Sequence, residues 1–182
     1  MEWTIPGTVL QIPRQEADRL EERFGALFLA GGISLGQVTG ITGLETHTVQ
    51  NWVKRGFLAP PQQKRYTLRQ LCRILNINAL RGILPLERIC QLLGYINGQL
   101  DDESDDIIDD GTLYFMFVRL AARAKEVDQD RDRLLNEALS GYHEPFPGAG
   151  ERIKTVLRIM LTAYLAARMQ QEADSMLKKI QL

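Results

Sequence analysis

Residues 34–69 read SLGQVTGITGLETHTVQNWVKRGFLAPPQQKRYTLR, and the rest of the chain is organised around them. Ser34 followed by Gln37 is a capping box, in which a hydroxyl and an amide satisfy the free backbone N–H groups at a helix start. The pattern predicts a short helix that runs to about Ile41. Gly43 follows where a tight turn needs a residue without a Cβ.

The second predicted helix, residues 45–55, has an apolar and a polar face. The apolar face consists of Val49, Trp52 and Val53, spaced three and four apart. The polar face consists of His47, Gln50, Asn51 and Lys54. Asn and Gln match the donor and acceptor of adenine, and Lys can donate to guanine or to phosphate. The pattern fits a helix that reads DNA, and it also fits an ordinary amphipathic helix with a solvated face.

The residues that follow this helix indicate a small two-stranded wing. We expect a strand at 57–59, a turn at 60–63 and a returning strand at 64–66. Thr67 with Gln70 is a second capping box, which predicts the start of the next helix.

Basic residues are concentrated around the second helix and the wing. Between residues 45 and 73, six residues are basic and one is acidic, a net charge of +5, whereas the whole chain carries −1. Residues 1–100 carry +4 and residues 101–182 carry −5. The six basic residues are Lys54, Arg55, Lys64, Arg65, Arg69 and Arg73. Because phosphate binding requires such a patch, the N-terminal half is the part expected to meet nucleic acid.

Three segments carry a resemblance to a known family: ISLGQVTGITGLETHTVQNWVKRGFL at 33–58, KRYT at 64–67, and LCRILNINALRGILPLERICQLL at 71–93. They resemble the DNA-binding domain of the MerR-type regulators over roughly residues 33–97. The resemblance implies a helix-turn-helix, a wing and two further helices. The whole chain also resembles a bacterial family of small uncharacterised proteins with this domain at the N-terminus. Gln50 and Asn51 stand where MerR-type proteins usually carry an arginine and an aromatic residue.

These observations lead to the hypothesis of a sequence-specific DNA-binding regulator of transcription. Helix 45–55 would enter the major groove of double-stranded DNA, and wing 57–67 would follow the phosphate backbone. The expected base contacts are His47, Gln50 and Asn51. The expected phosphate contacts are Lys54, Arg55, Lys64, Arg65 and Arg69.

A domain boundary is expected near the turn at Asn97-Gly98, which ends a DNA-binding domain at 1–98. Residues 101–110 read DDESDDIIDD, with seven acids in ten residues. We interpret residues 99–111 as a solvated acidic linker. A divalent cation site, or a surface that repels DNA or pairs with a basic partner, is an alternative, although the spacing does not match an EF-hand loop.

Residues 112–182 are predicted to form a C-terminal helical hairpin of helices 112–140 and 149–180. The fold class is thus mainly α, a winged helix-turn-helix followed by an α-helical hairpin. The last helix is apolar on nearly every face between Val156 and Met169, which one partner helix cannot cover. We therefore expect a homodimer. Its expected interface residues are Val156, Ile159, Met160, Ala163, Tyr164 and Ala167.

Several classes of function are disfavoured by the sequence. Two cysteines without a CxxC pair, Cys72 and Cys90, predict buried free thiols and no structural zinc site, and no cofactor is expected. A redox or metal-sensing role is the alternative, because some MerR-like regulators sense through cysteines. The absence of a spaced nucleophile and base argues against an enzyme. No apolar run is long enough to span a membrane, so a cytoplasmic chain is expected. Two alternatives are a protein-interaction module on a retained helix-turn-helix, and a metal-dependent enzyme that uses Asp105 and Asp106.

Overall fold

The computed structural model describes residues 2–98, 100 and 106–180, without the side chains of 125–129. Its strands are β1 (Glu2–Thr4), β2 (Gln11–Pro13), β3 (Ile33–Ser34) and β4 (Arg65–Tyr66), paired as β1–β2 and β3–β4. A 3-10 helix spans Arg14–Arg19, and the α-helices are α1 (Leu20–Leu27), α2 (Leu35–Thr42), α3 (Thr46–Lys54), α4 (Leu68–Leu80), α5 (Leu86–Asn97), α6 (Asp110–Ala122), α7 (Ala124–Ala138) and α8 (Ala149–Lys179). The mainly helical class predicted from the sequence is confirmed. None of the helices in the described ranges is long and apolar enough to cross a bilayer.

Two capping boxes define where α2 and α4 begin, as the sequence predicts. The Gln37 N–H donates to Ser34 Oγ at 3.3 Å, and the Ser34 N–H donates to Gln37 Oε1 at 2.9 Å. Thr67 and Gln70 make the same pair of bonds at 3.2 and 2.9 Å. Because each box satisfies N–H groups that have no partner inside the helix, these two helix starts are fixed locally.

The strand predicted at residues 57–59 is wrong. These residues form a bend and an irregular segment, and β4 pairs antiparallel with β3 instead. Pro60 and Pro61 follow directly, and a proline has no backbone N–H to donate to a strand ladder. The segment before β4 is therefore a loop, and the partner strand of β4 is β3, which directly precedes α2.

One hydrophobic core runs through both predicted domains, 1–98 and 112–182. Helix α4 packs along α6, and the buried side chains of both belong to the same cluster. The Tyr114 hydroxyl donates to the Pro6 carbonyl at 2.9 Å, and Trp3 Nε1 donates to the Tyr164 hydroxyl at 2.8 Å. The predicted boundary near residue 98 is therefore not a break in the packing.

The second half of the predicted acidic linker, 99–111, is not solvated. Ile107 and Ile108 are 8% and 5% exposed, and the Ile107 N–H donates to a carbonyl at the end of α5. Asp109 caps α6 by accepting two backbone N–H bonds. Residues 101–105 lie outside the described part of the chain. The linker prediction is wrong for the second half because Ile107 and Ile108 gain free energy by burying their apolar side chains in the core. The acidic residues on either side of them are drawn into the packed structure as a result.

The predicted helix 112–140 is two helices, α6 and α7, which meet at Arg123. Within α7, Asp130 has non-helical dihedral angles (φ −154°, ψ 69°), and its carboxylate accepts the Arg133 N–H at 3.2 Å. A short acidic side chain that bonds to the backbone in this way competes with helix hydrogen bonds and favours an end or a kink. The last predicted helix, 149–180, is confirmed as α8.

Four of the six residues predicted for the dimer interface are buried inside the single chain. Val156, Met160, Ala163 and Tyr164 are 0%, 0%, 5% and 8% exposed. Helix α8 does need more than one partner, but α4, α5, α6 and α7 of the same chain supply that cover. The interface prediction is therefore wrong for these four residues. Ile159 is 39% exposed and Ala167 is half-buried.

Cys72 and Cys90 are free thiols on α4 and α5, the first fully buried and the second half-buried. Burial raises the pKa of both thiols. The reactive thiolate is therefore disfavoured at both positions.

Candidate nucleic-acid interface

The turn between α2 and α3 is fixed by close local contacts. Gly43 has φ 69°, in the left-handed region, and a Cβ at this position would lie 2.5 Å from a side-chain carbon of Val9. The Thr42 hydroxyl accepts the Leu44 N–H at 3.2 Å and donates to the Val38 carbonyl at 2.8 Å. The angle between the two helices is therefore set by the turn itself as well as by packing.

Helix α3 is oriented by its apolar face, as the sequence predicts. Val49 and Trp52 are 0% and 3% exposed and anchor the helix on the core. The four residues of the predicted polar face are all exposed: His47, Gln50, Asn51 and Lys54. One imidazole, two neutral amides and one lysine are thus exposed to solvent along one face of α3.

A tight turn at Gln62–Arg65 holds Lys64 at its tip. The Arg65 N–H donates to the Gln62 carbonyl at 2.8 Å. Gln63 and Lys64 have φ of 48° and 63°. Left-handed backbone costs an L-residue on the order of 1 kcal/mol, and two such residues follow one another here. The predicted returning strand therefore begins at Arg65, and Lys64 lies in a strained turn before it.

Gln50 and Lys64 line the same groove. The groove has a volume of about 550 Å³ and lies between the start of α2, the exposed side of α3 and the loop before β4. Val53 and Pro61 contribute apolar wall to it. Folding therefore brings a residue predicted to contact bases beside one predicted to contact phosphate.

Arg65 lies on the other side of the turn. Its Nη1 donates to the carbonyl of Gly32 at 3.1 Å, and the side chain is exposed. This bond adds to the pairing of β4 with β3, so Arg65 helps to anchor the loop as well as offering a surface charge.

Arg55 is an exposed cation with two partners. It forms an ion pair with Glu87 of α5 and stacks on the ring of Phe57, with its guanidinium carbon 4.5 Å from the ring centroid. The backbone N–H of Glu87 and the Arg55 guanidinium lower the pKa of this carboxyl. Exposed pairs of this kind contribute little to stability, so phosphate can compete for Arg55.

The basic patch predicted from the sequence needs correction at Arg69 and Arg73. Arg69 pairs with Asp106, and their side chains are 23% and 7% exposed. Arg73 Nη1 lies 3.5 Å from Asp110 Oδ1, and these side chains are 6% and 3% exposed. Burial raises the pKa of Asp110, while Arg73 and Arg69 oppose that shift. The patch open to solvent therefore consists of Lys54, Arg55, Lys64 and Arg65, and the phosphate contact predicted for Arg69 is disfavoured by its acidic partner.

Sequence reasoning missed these two ion pairs, because each acid lies 37 residues further along the chain than its arginine. Arg69 and Arg73 are four residues apart on α4, and Asp106 and Asp110 are also four apart. Side chains four apart share one face of a helix, which holds for the two arginines on α4 but not for the two acids, because Asp106 precedes the first residue of α6. The acids were interpreted as part of a uniform charge block, which hid their pairing.

Comparison with known proteins gives a family of unknown function. Residues 33–117 match a domain of unknown function, DUF1836. A protein of Bacillus subtilis (strain 168), described as uncharacterized protein YkrK, is 30% identical over 107 residues. That alignment covers 54% of this chain and 46% of the relative, so the chain matches less than half of that protein's length. No solved structure matches the chain. The matched region runs from β3 into α6, so it includes the candidate interface and both ion pairs.

Proposed function

We propose that the chain is a sequence-specific DNA-binding regulator of transcription. Helices α2 and α3 form a MerR-like helix-turn-helix, and the loop 57–64 with β4 forms its wing. The observation that supports this most directly is the groove that Gln50 and Lys64 share. Groups that read base edges, flanked by cations that bind phosphate, are what recognition of a duplex requires.

The roles follow from exposure and partners. Gln50 and Asn51 contact bases from the middle of α3, and His47 contacts them from its first turn. Lys54 and Lys64 bind phosphates on either side, because both are exposed and form no ion pair with any residue in the described ranges. Arg55 and Arg65 add charge at the edge of the same surface.

Replacing Lys54 and Lys64 with alanine should weaken binding to every duplex by the same factor. Each lysine that neutralises a phosphate releases counterions on binding, so the slope of log affinity against log salt should flatten by about 1 per lysine removed. Fluorescence anisotropy over a salt series measures this slope. The duplexes are one from upstream of the chain's own gene and a scrambled one of equal composition.

A matched control replaces Lys154 and Lys178 of α8 with alanine, which removes the same charge away from α3. This control should keep the wild-type slope. If the Lys54/Lys64 variant binds both duplexes with wild-type affinity and slope, the DNA surface is not on this face.

The proposal includes a homodimer, for which the exposed end of α8 is the better candidate surface. From 168 to 180 every residue is exposed, including Met169, Met176 and Ile180 at 70%, 57% and 63%. Apolar and small residues recur there at alternating intervals of three and four: Ala166, Met169, Ala173, Met176 and Ile180. This is the spacing of a coiled-coil seam. An isolated helix end of this length is only marginally stable in water, which favours a partner.

A second copy of the chain fits this stripe in the antiparallel direction. With Ala173 of one copy facing Met176 of the other, a small residue lies opposite a large one at the centre, and Met169 lies opposite Ile180 at each end. In that register Glu172 of each copy lies opposite Lys179 of the other, so the flanking charges are complementary. Dimerisation would link two α3 helices for a two-fold operator.

Replacing Met169 and Met176 with lysine should convert the dimer into a monomer. The two lysines place like charges in a seam that excludes water, while neither residue supports the core of the single chain. Light scattering at micromolar concentration measures the mass. The matched control is Gln171→Lys with Ser175→Lys, which adds the same charge off the stripe and should stay dimeric.

A monomeric wild-type chain would instead favour the second candidate function, a protein-interaction module. The exposed stripe of α8 is the feature that favours it, since apolar side chains at this spacing bind a partner helix.

A further inference from the structure

A cavity of about 370 Å³ lies between the loop 58–62, α4, the end of α5 and the first residue of α6. Its volume is near the small end of the range of about 300–1,000 Å³ that ligand sites occupy. Leu58, Pro60 and Pro61 form an apolar side, and Arg73, Asn97 and Asp110 form a polar side. No residue of α3 lines the cavity, and Pro61 contributes both to it and to the groove beside α3.

The three polar side chains are nearly fully buried yet keep free hydrogen-bonding capacity. Arg73, Asn97 and Asp110 are 5%, 3% and 2% exposed. Arg73 Nε, Asp110 Oδ1 and both polar atoms of the Asn97 carboxamide make no hydrogen bond of normal geometry in the described part of the chain, although Asp110 Oδ1 faces Arg73 Nη1 at 3.5 Å. The Asn97 side chain also interacts with the Asp110 carboxyl and, as a hydrogen-bonding neighbour, opposes the burial that raises the pKa of Asp110. Buried polar groups are almost always hydrogen-bonded, so four atoms without a normal hydrogen bond around one cavity require an explanation.

The loop 58–62, which forms the roof of the cavity, is held in place by one side chain. Gln70 Nε2 donates to the carbonyls of Ala59 and Pro60 at 3.1 and 3.0 Å, while Gln70 Oε1 is used in the capping box of α4. This one side chain therefore tethers the loop to the first turn of α4 and fixes the apolar side of the cavity relative to α4.

The free atoms define the chemistry of an occupant. They provide two donors, Arg73 Nε and Asn97 Nδ2, and two acceptors, Asn97 Oδ1 and the remaining lone pair of Asp110 Oδ1. The charge is already balanced, because Arg73 and Asp110 neutralise one another and Arg69 and Asp106 do so at the rim. A charged ligand would bury an additional charge without a partner, which is costly. The free carboxamide of Asn97 is complementary to a ligand edge that carries an N–H beside a C=O.

We propose that this cavity binds a small, net-neutral molecule with a lactam edge, of the size and type of a nucleobase. Its N–H and C=O pair with the Asn97 carboxamide, a further acceptor receives Arg73 Nε–H, and a further donor reaches Asp110. The proline and leucine side contacts the flat face of its ring.

The site has a regulatory consequence that rests on the proposed function. The roof of the cavity continues through Pro61 and Gln62 into the turn that carries Lys64. An occupant therefore fixes the position of the wing, and binding of ligand and of DNA should be coupled in both directions. Ligand binding is measured without DNA, so a failure of the DNA proposal leaves the test of the cavity intact.

The test is calorimetric titration of the full chain with uracil and hypoxanthine, beside inorganic phosphate and L-glutamate as charged comparators. Uracil or hypoxanthine should bind, and the two anions should not. Asn97→Leu should weaken binding roughly tenfold or more, because two hydrogen bonds are lost. Asn136→Leu, at an exposed asparagine of α7, should leave it unchanged. If Asn97→Leu does not fold, Asn97→Ala replaces it as the variant whose ligand binding is measured.

Thermal unfolding adds a second result. Asn97→Leu removes the desolvation cost of the carboxamide and also its support for the charged Asp110, so the Tm of the ligand-free chain should stay within about 2 °C of the wild type. The proposal is overturned if neither lactam binds at millimolar concentration, if either anion binds in preference, or if both Asn97 variants bind as tightly as wild type. A lower Tm for Asn97→Leu together with no lactam binding would mean that the polar side holds structural water only.

Discussion

Asp110→Ala should destabilise the fold by about 3–5 kcal/mol, the largest single effect that we expect. The substitution leaves the Arg73 guanidinium, 5% exposed, inside the protein without its counter-charge. A buried charge without a partner is far more costly than a lost surface pair, whose contribution is about 0–1 kcal/mol. Urea unfolding followed by circular dichroism measures the difference.

The matched control removes both charges. Arg73→Met with Asp110→Leu should be as stable as the wild type or more stable, because it abolishes the desolvation cost together with the attraction. If Asp110→Ala has the same midpoint of urea unfolding as the wild type, then the Arg73 guanidinium is solvated and is not enclosed by α4 and α6.

The same pair predicts a pH dependence with a definite sign. Burial raises the pKa of Asp110 above its ordinary value of 3.8, so the folded state holds this proton more tightly than the unfolded state. A raised carboxyl pKa costs stability once the pH exceeds the unfolded value, and the cost is complete above the folded pKa. The wild type should therefore lose stability relative to the doubly substituted control as the pH rises through this window.

The second large effect is expected at the two amides of α3. Asn51→Ala and Gln50→Ala should each cost about 1–3 kcal/mol of binding to the preferred duplex, which is roughly 5- to 150-fold, if each amide makes a bidentate contact with a base. Binding to a scrambled duplex should be unchanged, because phosphate contacts carry no sequence information. The preferred duplex is obtained by selection from a random pool with the wild-type chain.

Asn136→Ala supplies the control for this measurement, since it makes the same change at an exposed helix position on α7. It should alter binding to neither duplex. An equal loss on both duplexes for Asn51→Ala and Gln50→Ala would mean that these amides contact the backbone, and that sequence preference is generated by another part of the chain.

Prediction from the sequence succeeded where a few neighbouring residues decide the outcome. The capping boxes at Ser34 and Thr67 fixed two helix starts, because a cap is satisfied within four residues. The spacing of Val49 and Trp52 gave the buried face of α3 and therefore its exposed face. The strand proposed at 57–59 failed although it is local, because the two prolines that follow were interpreted only as a turn.

Tertiary structure decided the features that depend on which surfaces meet. Arg69 and Asp106 are 37 residues apart, and no local rule reveals that the pair withdraws a cation from the predicted DNA surface. The apolar middle of α8 indicated that several helices must cover it, but not that these belong to the same chain. Burial is a sum over contacts from distant segments, whereas a cap or a helical stripe is completed by its own neighbours. The sequence alone therefore determined two helix starts and the orientation of α3, and only the packed chain decided which charges, amides and apolar side chains are left for a partner.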